Sequence, residues 1–206
     1  MSHYFTSTPL SEGETSELHV ELAGEPLVLR SAHGVFSQHG LDKATAILLD
    51  RTDLMMDLPD GAVVADVGCG WGPIALSLAL SRRDITVWAV DVNERARQLT
   101  ALNAQLAGVA ERVRVCAPEE VPAELTVDAI FSNPPIRIGK EALHELLREW
   151  LPRLDTRGEA YLVVGKNLGA DSLQSWISEH DGTLTRLACN RIDSAKGFRI
   201  LRVYNR

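Results

Sequence analysis

The sequence predicts an α/β protein with a doubly wound, mostly parallel sheet, and three observations support this prediction. Between residues 63 and 179, β-rich runs alternate with segments of helical periodicity. The first run, residues 63–67, is apolar except at one position, as expected of a strand that is covered on both faces. The chain then closes with two β-rich runs that have no helix between them, and these predict a terminal antiparallel strand.

The composition indicates one globular domain, or one domain with a small extension. The chain has 206 residues, of which 45% are hydrophobic and 24% are charged, enough for a sizeable core. Its formal net charge is −7, and 17 of its 21 basic residues are Arg and four are Lys. Proteins that bind nucleic acid through phosphates carry a basic excess. The overall charge therefore argues against a large RNA footprint and leaves room for a local basic patch.

The cysteine pattern and the apolar runs predict a cytoplasmic protein. Cys69, Cys116 and Cys189 are odd in number and widely scattered, which is typical of a reducing compartment. Neither they nor the six His residues have metal-ligand spacing. The N-terminus lacks the pattern of a signal peptide, and no uncharged apolar run reaches the ~18 residues of a membrane helix. We therefore expect no metal and no membrane partner.

Residues 1–41 are expected to form an N-terminal lead-in with a β-hairpin extension, and residues 42–206 the main domain. Residues 17–22 alternate apolar and polar side chains, and a second β-rich run, residues 26–31, follows after a short loop. This arrangement predicts a hairpin. Asp42 stands at the N-cap position of the first helix of the main domain.

The main domain is expected to alternate strands and helices. We predict strands at residues 63–67, 85–90, 113–116, 127–132, 160–165, 183–189 and 198–204. We predict a helix that begins after Asp42 and ends at residues 50–53, and a second helix that begins after Pro73. Three further helices are predicted at residues 94–107, 141–150 and 172–179. Because parallel strands end at the same edge of a sheet, residues 66–72, 91 and 133–136 should meet in one crevice.

A glycine turn between the first core strand and its helix is the first candidate site. Gly68, Gly70 and Gly72 occupy every second position, and Pro73 fits the first turn of a helix. Such a turn lets a ligand approach bare backbone N–H groups. Asp91 ends the second strand, where a carboxylate can accept hydrogen bonds from both hydroxyls of a ribose.

Two residues favour S-adenosylmethionine over a nicotinamide dinucleotide as the cofactor. The dinucleotide fingerprint has a third glycine where this chain has Pro73, and Asp66 would repel a pyrophosphate but suit an ammonium group. The alternative is a glycine turn with only a structural role. We expect the cofactor to contact Asp66, Gly68, Cys69, Gly70, Asp91, Val92, Asn133 and, by backbone contacts beside the adenine, Cys116 and Ala117.

The second candidate site is the loop Asn133-Pro134-Pro135, which follows a predicted strand. A planar amino group is a poor nucleophile because its lone pair is delocalised. The Asn133 side-chain oxygen and the Pro134 carbonyl can accept its N–H bonds and direct the lone pair at a methyl group. We therefore predict Asn133 and Pro134 as catalytic residues, and Pro135, Ile136 and Arg137 as substrate-binding residues. Arg137 and Lys140 either contact a substrate phosphate or are solvated cations.

Together these motifs resemble the class I methyltransferases that act on amino nitrogens. More narrowly, residues 3–5, 34–37, 40–42, 66–72 and 133–137 resemble the RsmC-like small-domain family, which includes the guanine-N2 methyltransferase of small-subunit ribosomal RNA. The resemblance implies a seven-stranded Rossmann-like methyltransferase fold and S-adenosylmethionine as cofactor. It implies that Gly68, Gly70 and Asp91 bind the cofactor, that Asn133 and Pro134 hold the target amine, and that Phe36 and Asp42 lie near the cofactor.

Three functions follow from these observations. The leading hypothesis is methyl transfer to guanine N2 of ribosomal RNA, with RNA or the small ribosomal subunit as partner. The second is methylation of a protein glutamine amide or a small-molecule amine, which the acidic net charge and the apolar Ile136 favour. The third is a cofactor-binding module without catalysis. The methylated nucleotide, the oligomeric state and any contact between the hairpin and the substrate are left open.

Overall fold

A computed structural model describes residues 15–135, 139–179 and 182–206 of the protein. Its strands are β1 (Thr15–Leu22), β2 (Glu25–Ala32), β3 (Val63–Val67), β4 (Thr86–Val90), β5 (Val113–Cys116), β6 (Val127–Ser132), β7 (Leu154–Gly165), β8 (Leu187–Ala195) and β9 (Phe198–Asn205). Its α-helices are α1 (Lys43–Leu49), α2 (Thr52–Met56), α3 (Pro73–Ser81), α4 (Glu94–Leu106), α5 (Lys140–Trp150) and α6 (Ala170–Glu179).

The main sheet has seven strands in the order β5-β4-β3-β6-β7-β9-β8, with β1 and β2 in a separate antiparallel pair. Strands β3 to β7 pair in parallel, and β9 runs antiparallel to both of its neighbours. The predicted fold class is thus confirmed, although the last strand of the chain lies inside the sheet rather than at its edge. The strand order reverses between β3 and β6, and open α/β sheets bind ligands at such a switch point.

Both faces of the sheet are covered, which explains why most residues of its central strands are apolar. In β3, Val64 belongs to the core beneath α1, α3 and α4, whereas Ala65 belongs to the core beneath α5 and α6. The side chains alternate because successive residues of a strand point to opposite faces. No described helix is both long enough and apolar enough to cross a membrane.

The N-terminal hairpin packs on the main domain and shares its core. Leu18, Leu22 and Leu29 are buried in the same cluster as the residues of α3 and α4. The fully buried Asn103 of α4 accepts a hydrogen bond from Arg30 N (2.7 Å) and donates one to Arg30 O (2.9 Å). The Asn103 side chain therefore binds both the backbone N–H and the backbone C=O of Arg30, as the backbone of a neighbouring strand would. The division at residues 41 and 42 stays a prediction.

The structure differs from the sequence prediction in three elements. The polar stretch at residues 50–53 opens a further short helix, α2, whose Leu54 and Met55 are buried. Strand β7 begins at Leu154 rather than at residue 160, because Leu154 pairs with Val127 and the polar residues that follow it lie at a β-bulge. Strand β8 covers residues 187–195 rather than 183–189, because β9 provides a backbone partner along its polar half.

Candidate active site

The glycine turn after β3 uses its own N–H groups to build the turn. Gly68, Gly70 and Gly72 all have positive φ, at +80°, +61° and +98°, in the left-handed region that glycine adopts without strain. Four hydrogen bonds hold the turn: Gly68 N to Val90 O (2.8 Å), Cys69 N to Val90 O (3.1 Å), Gly70 N to Asp91 Oδ2 (3.0 Å) and Gly72 N to Cys69 O (2.9 Å). The expected bare N–H groups at these positions thus have partners already, which leaves no ready pyrophosphate site.

The glycines of the turn instead allow other groups to lie close to the backbone, because they have no side chains. A Cβ added at Gly70 would meet no atom within 4 Å, and one at Gly68 would meet only Pro135 Cδ, at 3.8 Å. A Cβ at Gly72 would lie 3.1 Å from Thr100 Cγ2 of α4. The first two glycines therefore leave room for a ligand, and the third lets two helices pack closely.

Asp66 lies beneath the turn and is fully buried. Its Oδ2 accepts a hydrogen bond from Ala75 N (2.9 Å) in the first turn of α3, whose N-cap residue is a glycine without a side chain. Its Oδ1 is buried and has no hydrogen-bond partner among the described residues. Burial, together with the smaller effect of the charge of Asp91, raises the pKa of Asp66 to about 8 against the lowering effect of the Ala75 bond. A cation above the turn would offset the burial cost of the ionised form.

Asp91 is held in one orientation at the end of β4. Its Oδ2 accepts from Gly70 N (3.0 Å) and its Oδ1 accepts from Asn93 N (2.8 Å). Each carboxylate oxygen can accept a second hydrogen bond, so the side chain is prepared for the two adjacent hydroxyls of a ribose. The contact of Asp91 with the cofactor stays a prediction.

Two apolar side chains beside Asp91 are left exposed. Val92 is 80% exposed and Phe36 is 64% exposed. Asn93 Nδ2 donates to Gly34 O (3.2 Å), which brings the loop that carries Phe36 next to the end of β4. A flat aromatic ring such as adenine could cover these apolar surfaces.

The backbone groups predicted to contact adenine already have partners. Ala117 N donates to Glu120 Oε2 (2.7 Å), and Cys116 O accepts from Asp91 N (3.4 Å). The side chains of Cys116 and Ala117 are buried. The adenine contacts at these two positions stay a prediction. The sequence reasoning did not single out Glu120, whose carboxylate accepts the hydrogen bond from Ala117 N at the end of β5.

The Asn-Pro-Pro loop lies directly across from the glycine turn. Ser132 Oγ donates to Val67 O (2.6 Å) and joins the ends of β6 and β3. A Cβ added at Gly68 would lie 3.8 Å from Pro135 Cδ, so the two candidate motifs lie side by side. Pro134 is buried, whereas Ile136 and Arg137, predicted to bind substrate, lie outside the described residues.

The side chain of Asn133 has a defined orientation. Its Nδ2 donates to Asp42 Oδ2 (2.6 Å) and to Thr45 Oγ1 (3.1 Å). A carboxylate can only accept hydrogen bonds, so Asp42 selects the amide nitrogen and turns the carbonyl oxygen, Oδ1, away from itself. Asp42 Oδ2 also caps α1 by accepting from Thr45 N (3.1 Å).

One narrow cleft brings these elements together. It is lined by residues of the glycine turn, by Phe36, Asp42 and Thr45, and by Asn133. Ser37, Trp71 and Ile74 also line the cleft, and the sequence reasoning singled out neither these three residues nor Thr45. Thr45 could have been identified from its position three residues after the N-cap residue Asp42, where a side chain can form a hydrogen bond with the cap residue.

The site has neither a nucleophilic thiol nor a metal cluster in the part of the chain that the structure describes. Cys69 is buried, and burial together with the charge of Asp66 raises the pKa of its thiol well above the ordinary value. A thiol that stays protonated is inert. Cys69 therefore fills space beneath the turn and also contacts Thr100 Oγ1 through its sulfur (3.5 Å).

A doubly wound sheet with a glycine turn, an acid at the end of β4 and an Asn-Pro-Pro loop at its switch point is the arrangement of a Rossmann-like methyltransferase. The chain belongs to the methyltransferase small domain family, whose model matches residues 26–202. The predicted family is confirmed, and with it S-adenosylmethionine as the cofactor class.

Named relatives agree with this assignment. The chain is 33% identical over 180 residues to the uncharacterized protein YbxB of Bacillus subtilis, covering 86% of this chain and 88% of the relative. It is 32% identical over 199 residues to ribosomal RNA small subunit methyltransferase C of Ectopseudomonas mendocina, covering 94% of this chain and 56% of the relative. The chain thus spans about half the length of the curated ribosomal RNA methyltransferases that it matches.

A solved structure shows the same fold. The T. thermophilus 16S rRNA N2 G1207 methyltransferase, in complex with AdoMet and guanosine, superposes with a TM-score of 0.77 at 21% identity, covering 97% of this chain and 52% of that chain. At this identity the similarity establishes the fold alone.

Proposed function

We propose that this protein transfers the methyl group of S-adenosylmethionine to the exocyclic N2 of a guanine in small-subunit ribosomal RNA. The observation that carries the proposal is the fixed orientation of Asn133 across from the glycine turn. An amide oxygen held in this way suits an amino group that must be oriented. The names of the matched relatives, ribosomal RNA methyltransferases, support RNA as the substrate.

The residues of the glycine turn and of β4 would hold the cofactor. Gly68 and Gly70 leave space for it against the backbone, Asp91 would accept from its ribose hydroxyls, and Val92 would cover one face of its adenine. The buried Oδ1 of Asp66 has no hydrogen-bond partner among the described residues, and a cationic ligand bound nearby would favour the ionised form of this carboxyl. The bound sulfonium supplies an already activated methyl group.

The acceptor loop would orient the target amine. Asn133 Oδ1 and the Pro134 carbonyl would accept its two N–H bonds, which turns the nitrogen lone pair towards the methyl group. The adjacent prolines restrict the backbone, so the two acceptors keep their spacing. No strong base is needed because the amine proton becomes acidic once the methyl group has been added, and water can then take it.

A labelled-transfer assay tests this proposal. Purified protein is incubated with methyl-labelled S-adenosylmethionine and small-subunit ribosomal RNA from a strain that lacks the protein. We expect label in the RNA, and mass analysis of nucleosides should identify N2-methylguanosine. Label in protein or in small amines instead, with none in RNA, would overturn the choice of substrate and support the second hypothesis.

We also propose a cytoplasmic location for this reaction. The three cysteines are buried and none forms a disulfide, a pattern typical of reducing compartments. Measurement of the label in ribosomal RNA extracted from intact cells would test this location together with the substrate.

A further inference from the structure

All four lysines of the chain lie at the same edge of the main sheet. Lys43 begins α1, Lys140 begins α5, Lys166 directly follows β7, and Lys196 lies in the turn between β8 and β9. All four are exposed. The 17 arginines, in contrast, are spread along the whole chain. The distribution of lysine therefore marks one side of the molecule.

That edge is the one that carries the acceptor loop. Strands β6 and β7 are parallel, so Lys166, after the end of β7, lies on the same side as Asn133, after the end of β6. Gly165 pairs with Phe198, and Lys166 N donates to Gly197 O (2.8 Å), which places the turn with Lys196 beside Lys166. We name Lys140, Lys166 and Lys196 the lysine rim.

Charge divides this edge into two halves. The cofactor half, at the ends of β4 and β5, carries the four acids Asp91, Glu94, Glu119 and Glu120 against the two cations Arg95 and Arg97, and the acceptor half carries the lysine rim. Within the acceptor half, Glu141 follows Lys140, and Asp171 pairs with Arg199. In the described parts of the chain no ion pair involves a lysine. The rim therefore presents uncompensated positive charge on a protein with a net charge of −7.

The dimensions of the rim suit a polyanion that continues from the acceptor site. Neighbouring strands lie about 4.8 Å apart, so the distance from the end of β6 to the turn between β9 and β8 is about 10–14 Å. Lysine is a flexible point charge that binds phosphate without demanding one geometry. A short stretch of nucleic acid backbone could follow this path while one base enters the acceptor loop.

We propose that the lysine rim binds backbone phosphates of the RNA whose base is methylated. This inference rests on the proposed function, because it assigns the docking surface for that substrate. The acidic cofactor half and the basic acceptor half would then separate the positively charged methyl donor from the negatively charged RNA.

The test compares two double variants with the same change in charge. Lys166→Gln/Lys196→Gln removes two charges from the rim. Arg83→Gln/Arg157→Gln removes two exposed charges from the opposite edge, since Arg83 precedes β4 and Arg157 lies near the start of β7. Binding of unmodified small-subunit ribosomal RNA is measured by filter binding at several salt concentrations, and cofactor affinity by calorimetry.

We expect the rim variant to bind RNA about 10- to 50-fold more weakly at 0.1 M salt, with the salt slope reduced by about 1.4–1.8. The arginine variant should bind within about twofold of the original protein, and both should keep their cofactor affinity. Equal losses in both variants, unchanged RNA affinity in the rim variant, or no RNA binding by the original protein would overturn the inference. If RNA binding depends on the lysine rim but the labelled-transfer assay places no methyl group on the RNA, the proposed function would be overturned and the role of the rim in RNA binding would be supported.

Discussion

Replacement of Asp42 tests whether the orientation of Asn133 matters for catalysis. Asp42 Oδ2 receives three hydrogen bonds, from Asn133 Nδ2 (2.6 Å), Thr45 N (3.1 Å) and Thr45 Oγ1 (3.2 Å). Serine caps a helix about as well as aspartate, but its shorter, neutral side chain does not reach the Asn133 amide. Asp42→Ser should therefore keep the cap of α1 and lose the bond that selects the amide nitrogen.

The size of the effect follows from the bond that is lost. A hydrogen bond to a charged group contributes about 1.5–3 kcal/mol, and Thr45 Oγ1 would remain as the other acceptor for Asn133 Nδ2. If that energy holds the amide in its productive orientation, kcat should fall about 10- to 150-fold. The unfolding free energy of Asp42→Ser should change by less than about 0.5 kcal/mol, whereas Asp42→Ala should lose about 1 kcal/mol with the cap.

Single-turnover methyl transfer, thermal unfolding and calorimetry of cofactor binding separate these effects. We expect Asp42→Ser to lower the rate of transfer while cofactor affinity and stability are kept. Asp42→Asn is the matched control, because it retains the cap and an oxygen that can accept from Asn133, so its rate should lie between those of Asp42→Ser and the original protein. A rate for Asp42→Ser equal to that of the original protein would refute the positioning role.

Three further predictions concern single residues of the site. Asn133→Ala should lower kcat by roughly one to a few orders of magnitude with cofactor binding retained; a variant that keeps its cellular function would support a non-catalytic module. Asp91→Ala should weaken cofactor affinity about 10- to 100-fold, because charge-assisted ribose contacts are lost, and calorimetry showing unchanged affinity would contradict this placement. The pKa of Asp66 is raised from 3.8 to about 8 in the folded state, so the folded state binds more protons than the unfolded one and unfolding free energy should fall as pH rises from about 4 to 8. Asp66→Asn should flatten this dependence in denaturant titrations, and an unchanged slope would show that Asp66 ionises normally.

The fold was predictable from the sequence to the extent that it depends on local patterns. Apolar runs of strand length and helices with caps are encoded within a few residues, so β3, α4 and β6 were found close to their observed bounds. Strand β8 was shifted because its polar half, residues 190–194, gains a strand conformation only by pairing with β9. Helix α2 was missed because its two buried residues, Leu54 and Met55, are too few to show a period.

The candidate site was predictable as a set of residues but not as a set of contacts. The types and spacing of Gly68, Gly70, Asp91 and Asn133 suggested a methyl donor and an amine acceptor. The partners of these groups were not predictable. The N–H of Gly70 is directed to Asp91, at a separation of 21 residues along the chain, and this bond exists only after β3 and β4 have paired.

The sequence by itself therefore determined the class of fold, the family and the residue types of the site, because these depend on composition and short spacing. Only the tertiary structure decided how the groups are oriented. It joined Asp42 to Asn133 across 91 positions, buried Asp66 beneath the turn and gathered four distant lysines at one edge. These outcomes depend on strand order and on the packing of helices against the sheet. Strand order arises from contacts between residues that are far apart in the chain, and no local pattern encodes it.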